Sequence, residues 1–90
     1  MSEVRNNTAE QQFELDTGGL TAIAVYRREG DVLAFVHTEV PEELEGQGIG
    51  TRLIDGALAQ VRARGERIVP ACSFVAAYVE RHPETQDLLA

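Results

Sequence analysis

Ninety residues make one domain with a single core and leave no room for a second lobe with its own interior. A hydrophobic fraction of 43% supports a folded chain, and no apolar run approaches the about 20 residues that span a bilayer, so no membrane partner is expected. The net charge of −7, with 15 acidic residues against 8 basic ones that are all arginine, disfavours nucleic acid and favours a cationic acceptor such as an amine or a basic peptide.

Residues 1–10 are polar and aperiodic and read as a flexible N-terminal arm, which leaves 11–90 as the folded domain. The arm has no apolar segment resembling a signal peptide. Cys72 is the single cysteine and cannot form an internal disulfide, so a reducing cytoplasm fits best. From Gln12 the apolar residues Phe13 and Leu15 alternate with polar neighbours, Gly18-Gly19 interrupts, and Ile23 and Val25 resume the alternation over Leu20 to Arg28. After a turn at Glu29-Gly30-Asp31, the β-branched run Val32 to Val40 predicts a third strand, completing an antiparallel meander of three. Period two places Leu33, Phe35, His37 and Glu39 on one face of that strand, and Val32, Ala34, Val36, Thr38 and Val40 on the other. Pro41 ends the ladder.

The stretch Glu45-Gly46-Gln47-Gly48-Ile49-Gly50-Thr51 then runs three alternating glycines into a helical apolar pattern. Glycine lets a ligand approach the main chain, and the first turn of a helix offers N–H donors without partners together with the positive end of its dipole. The pattern reads either as a phosphate cradle or as a plain loop before a helix. Ile49, Leu53, Ile54, Ala57, Leu58 and Val61 form one apolar stripe, so a helix of about four turns follows, closing at Arg62, Arg64 and Gly65. Arg67 to Cys72 reads as a fourth strand whose Pro70 points to an edge or to the end of pairing. A second helix from Ser73 to about Arg81 carries Phe74, Tyr78 and His82 at four-residue spacing, Pro83 ends it, and Asp87-Leu88-Leu89 folds back as a tail. The order is β-β-β-α-β-α, an α/β (α+β) mixed sheet in which the third strand, the helix and the fourth strand form one parallel βαβ crossover.

Two other phosphate motifs do not fit. A Walker loop needs Lys and then Ser or Thr after its last glycine, where this chain has Thr51-Arg52. A dinucleotide fingerprint needs its third glycine one residue later and a strand directly before the loop. Two histidines 45 residues apart and one cysteine give no metal-ligand spacing, so no metal is expected.

Cys72 stands where a strand gives way to a helix, a position that stabilises a thiolate or simply buries a small side chain. His37 reads either as a base or as a hydrogen-bonded residue near the core. Phe74 and Tyr78 read as one packed helical face. The glutamates at 39, 42, 43 and 45 either attract a cationic acceptor or form a solvated loop.

The segment Val36 to Leu53 resembles the cofactor-binding motif of the GNAT acetyltransferase superfamily, Arg/Gln-x-x-Gly-x-Gly/Ala, with Gly48 and Gly50 at the small-residue positions and Glu45 at the Arg/Gln position. His37-Thr38-Glu39-Val40-Pro41, Val69-Pro70-Ala71-Cys72-Ser73-Phe74-Val75 and Arg81-His82-Pro83-Glu84 extend the likeness over nearly the whole chain, and it is similar to the minimal, single-domain Yjdj-type branch. That resemblance implies a GNAT-like fold that binds acetyl-coenzyme A (acetyl-CoA) where adjacent parallel strands splay apart. Thr38, Val40, Gly46, Gln47, Gly48, Ile49, Gly50 and Thr51 would hold the cofactor. It further implies acetyl transfer to an amine of a small molecule or basic peptide. The two parallel strands should bring His37 and Cys72 into one cleft, with His37 as base and Cys72 as thiol acid or transient acetyl carrier. Many relatives use a tyrosine on the second helix as the acid, a role for which Tyr78 is the candidate. Larger relatives carry helices before the third strand that shape the acceptor pocket, and this chain lacks them. A coenzyme A-binding or sensing module with little transfer is therefore the alternative, and pairing with a second copy is one way to complete the pocket.

Overall fold

The computed structural model describes residues 3–90 as one five-stranded sheet covered by two helices. The strands are β1 (Arg5–Asn7), β2 (Gln12–Thr17), β3 (Leu20–Glu29), β4 (Val32–Glu39) and β5 (Arg67–Pro70), and the helices are α1 (Ile49–Ala63) and α2 (Ser73–Arg81). Spatial order follows chain order, with β1 to β4 antiparallel and β5 parallel to β4. The meander, the crossover through α1 and both helices match the sequence reading. No helix among the described residues is long and apolar enough to cross a membrane.

The N-terminal arm is a correction. Arg5–Asn7 pair with Gln12–Glu14 as an added edge strand, so the order is β-β-β-β-α-β-α, and Val4 is 5% exposed. Residues 1 and 2 of the expected arm lie outside the described residues. The arm docks because it satisfies groups that the core cannot. The buried Tyr26 hydroxyl donates to Asn6 Oδ1 at 2.7 Å, and the Gln60 side chain on α1 donates to the Val4 carbonyl at 2.7 Å. A buried phenol without such a partner costs of order 1–3 kcal/mol.

Leu53, Ile54, Ala57, Leu58 and Val61 of α1 lie on Phe13, Leu15, Ala24, Tyr26 and Phe35 of the sheet. Phe13, Tyr26 and Phe35 form an aromatic triad with centroids 5.3, 5.9 and 6.2 Å apart. The C-terminal tail folds back as expected: Leu88 is buried, Arg62 holds Asp87 through contacts of 2.7 and 2.9 Å, and the Ala90 amide donates to the Ile68 carbonyl along the outer edge of β5.

A second correction concerns the faces of β4. The register pairs Tyr26 with Phe35 and Val25 with His37, so Val36 is an additional residue, a β-bulge, and it is 39% exposed. A bulge reverses the side-chain alternation beyond it. Leu33 and Phe35 face the core, but His37 and Glu39 pair with Val25 and Ile23 on the opposite face, and Thr38 turns to the core face beside Ala24.

Candidate functional site

The bulge and Pro70 together open the sheet. β4 and β5 pair from Val32↔Arg67 to Phe35↔Pro70, and one further bond follows, from the Cys72 amide to the Phe35 carbonyl at 2.7 Å. Beyond it β4 runs on to Glu39 while the other chain turns into α2, so the two parallel strands part. The gap opens into a cleft of about 480 Å³ between the end of β4, the glycine loop and the first turns of α1 and α2.

The loop reaches the cleft through a single turn of 3-10 helix at Glu42–Leu44, anchored by buried Leu44. Gly46 (φ 82°) and Gly48 (φ 72°) have left-handed backbones, and a side chain at either would point into open space. Gly48 is the N-cap of α1, and the Arg52 amide makes the first helical bond, to the Gly48 carbonyl at 3.0 Å. The amides of Ile49, Gly50 and Thr51 therefore have no acceptor inside the helix and sit at its positive end. Open space above two left-handed glycines, with helix donors behind them, fits an anionic phosphate group.

Thr38, Val40, Gly46, Gly48, Ile49, Gly50 and Thr51 all line the cleft. Gln47 does not line it, and its side-chain amide donates to the Glu43 carbonyl at 3.3 Å. Glu39, Leu44, Glu45 and Phe74 complete the lining. No cationic side chain among the described residues lines the cleft, so anion binding is left to backbone donors. Arg52, the nearest arginine in sequence, is ion-paired with Glu3 and lies outside the lining.

Cys72 is half-buried and forms the N-cap of α2 in extended conformation (φ −88°, ψ 135°). Its sulfur lies 3.5 Å from Thr38 Oγ1, so the bulge that turned Thr38 inward also gave the thiol its neighbour. Burial raises the thiol pKa. The Thr38 hydroxyl and the amides of Val75, Phe74 and Thr38 outweigh that effect and bring it below the ordinary thiol value. His37 lies on the other face, 59% exposed, with Nε2 3.1 Å from Glu39 Oε2. His37 and Cys72 therefore do not share one cleft as expected, and neither lines the one described above: the polar neighbour of the thiol is Thr38, and that of the imidazole is Glu39.

Tyr78 is 3% exposed and donates its hydroxyl to Asp55 of α1. Its ring stacks on His82 with centroids 3.9 Å apart, and His82 Nδ1 lies 2.8 Å from the Tyr78 carbonyl oxygen. Burial first, and then the Asp55 carboxylate, hold the phenol far above its usual pKa. The hydroxyl ties the two helices together, as the packed-face reading implies.

Residues 12–88 match the model of a family described as GCN5-related N-acetyl-transferase. The chain is also similar to the NMR solution structure of a GCN5-like protein from Staphylococcus aureus, with 28% identity and a TM-score of 0.73 over 100% of this chain and 91% of the other.

Proposed function

The chain belongs to the GCN5-related N-acetyltransferase family, and from that premise we propose that it transfers an acetyl group from acetyl-CoA to a primary amine of a small molecule or basic peptide. The observation that carries this reading is the cleft in which the parted strands meet the glycine loop. Gly46, Gly48, Ile49, Gly50 and Thr51 would hold the pyrophosphate through backbone amides, and Thr38 and Val40 would line the path of the pantetheine arm. When bound, acetyl-CoA supplies an activated thioester.

The residues of this chain supply proton control on the two faces of β4. His37, backed by Glu39, takes the proton from an acceptor amine approaching over the helix-free face. Cys72, beside Thr38 and the first turn of α2, holds or releases a proton on the helix side. Glu39 at the end of β4, the loop residues Glu42, Glu43 and Glu45, and the net charge of −7 favour a cationic acceptor. A working free thiol at Cys72 suits a reducing compartment such as the cytoplasm.

Calorimetric titration with coenzyme A, followed by mass spectrometry of polyamines and basic peptides incubated with acetyl-CoA, tests the proposal. Binding together with an acetylated amine supports it. Binding without turnover would favour the sensing module, a reading motivated by the openness of His37 on an uncovered sheet face.

A further inference from the structure

Gly50 differs from its two partners in the loop. Its backbone is ordinary helix, yet a methyl group placed on it would lie 2.5 Å from Phe74 Cζ and 3.2 and 3.3 Å from the two Cε atoms, where real Cβ atoms essentially never come closer than 3.0 Å. The missing side chain at Gly50 is therefore a seat for an aromatic ring. The superfamily motif admits alanine at this position, but here the Phe74 ring would have to shift to make room for it.

Phe74 is the second residue of α2 and also lines the cleft. Cys72 is the cap of the same turn, the Ala76 amide closes that turn onto the Cys72 carbonyl at 2.9 Å, and Val75 is fully buried. The ring, the thiol and the cap thus belong to one turn of backbone. Tyr78 also binds Asp55, a turn deeper in both helices, and the buried faces of α1 and α2 share one core. The Gly50 contact adds a constraint at their N-terminal ends, where the cleft is.

We infer that Phe74 is a positioning residue: seated on Gly50, its ring fixes the first turn of α2, with Cys72 and the amides around its sulfur, at a set distance from the glycine loop. The contact thus couples the anion-binding cleft to the thiol, whose neighbour Thr38 lines that cleft. For coenzyme A this rests on the cofactor reading above, but for the thiol it does not. The groups that act on the sulfur are the Thr38 hydroxyl and amide on β4 and the Phe74 and Val75 amides on α2, so a shift between these elements changes how strongly the thiolate is held.

A size swap tests it. Gly50→Ala adds a methyl group that the ring must avoid, Phe74→Leu removes the three atoms in conflict, and Gly50→Ala/Phe74→Leu returns roughly the original volume. Two readouts are followed beside thermal melting: coenzyme A affinity by calorimetry, and the pH midpoint of Cys72 alkylation by iodoacetamide without coenzyme A. Coupling between contacting residues reaches up to about a hundredfold in an equilibrium constant. Gly50→Ala is expected to weaken coenzyme A binding about tenfold and raise the alkylation midpoint. Phe74→Leu should move both less, and the double variant should return both to near wild type. A wild-type midpoint in Gly50→Ala, or a double variant as impaired as Gly50→Ala, overturns the inference. If Gly50→Ala does not fold, an alkylation midpoint in Phe74→Leu equal to that of the wild type overturns it. If wild type binds no coenzyme A, the cofactor reading fails while the thiol midpoints still decide this one.

Discussion

Gly48 is the position where one substitution separates the stability of the loop from its use. Its backbone lies at φ 72°, ψ 17°, with nothing within 4 Å of the place a Cβ would take. Gly48→Ala therefore meets no steric neighbour, and its cost is conformational, about 1–2 kcal/mol for an L-residue held in the left-handed region. For a domain of this size each kcal/mol lowers Tm by about 4–8 °C. Asparagine tolerates this region better, so Gly48→Asn should lose less than half of what alanine loses. Both side chains enter the open space beside the loop that a phosphate would use. Losing one amide bond to a phosphate, worth about 1.5–3 kcal/mol, weakens coenzyme A about tenfold to a hundredfold. Calorimetry for binding and differential scanning calorimetry for Tm make the comparison, with Gly48→Asn expected near wild type in melting and poor in binding. Wild-type coenzyme A affinity in both variants would refute the idea that the ligand approaches the backbone here, and wild-type melting of Gly48→Ala would refute the conformational half.

The depressed Cys72 thiol predicts that iodoacetamide alkylation reaches half its maximal rate at a pH below that of an unstructured cysteine peptide, and Thr38→Val should move that midpoint upward by removing the hydroxyl beside the sulfur. Because the folded pKa lies below the unfolded one, this interaction adds stability above the unfolded thiol pKa and loses it as pH falls through the folded value, so the excess stability of wild type over Thr38→Val should grow toward alkaline pH in urea titrations. Tyr78→Phe removes a buried donor to Asp55 and should lower stability by about 1–3 kcal/mol, while acetyl transfer stays within about twofold because the hydroxyl serves the helix pair; a collapse of turnover at unchanged coenzyme A affinity would make it the acid instead. Glu45→Gln removes a carboxylate from the cleft and should tighten coenzyme A a few-fold, with the gain shrinking in calorimetric titrations at high salt.

The parts legible in the sequence were those written in local periodicity. Phe13, Leu15, Ile23 and Val25 announce strands, and the Ile49 to Val61 stripe announces α1 and its buried face. Strand β1 was not legible because Arg5-Asn6-Asn7 is poor in strand formers, and what docks it is a hydroxyl 20 residues away on Tyr26. The bulge left no mark, since Ala34-Phe35-Val36-His37 continues a plausible alternation, and the register is set by β3. Strict alternation therefore puts His37 on the face it does not occupy, and it conceals that Thr38 is the neighbour of Cys72. In the glycine loop the pattern located the cleft but not the division of labour within it: Gly46 and Gly48 supply conformation, Gly50 supplies room for Phe74, and Gln47 turns back to Glu43. The seat for Phe74 depends on a residue brought in by the crossover, which no local window contains.

The measurement that bears most directly on the cofactor cleft is an amide NMR titration of the labelled protein with coenzyme A. The account predicts saturable shifts concentrated at Gly46, Gly48 to Thr51, Thr38 and Phe74, with the β1–β2 edge unmoved. Shifts confined to that edge, or none at millimolar coenzyme A, would contradict it.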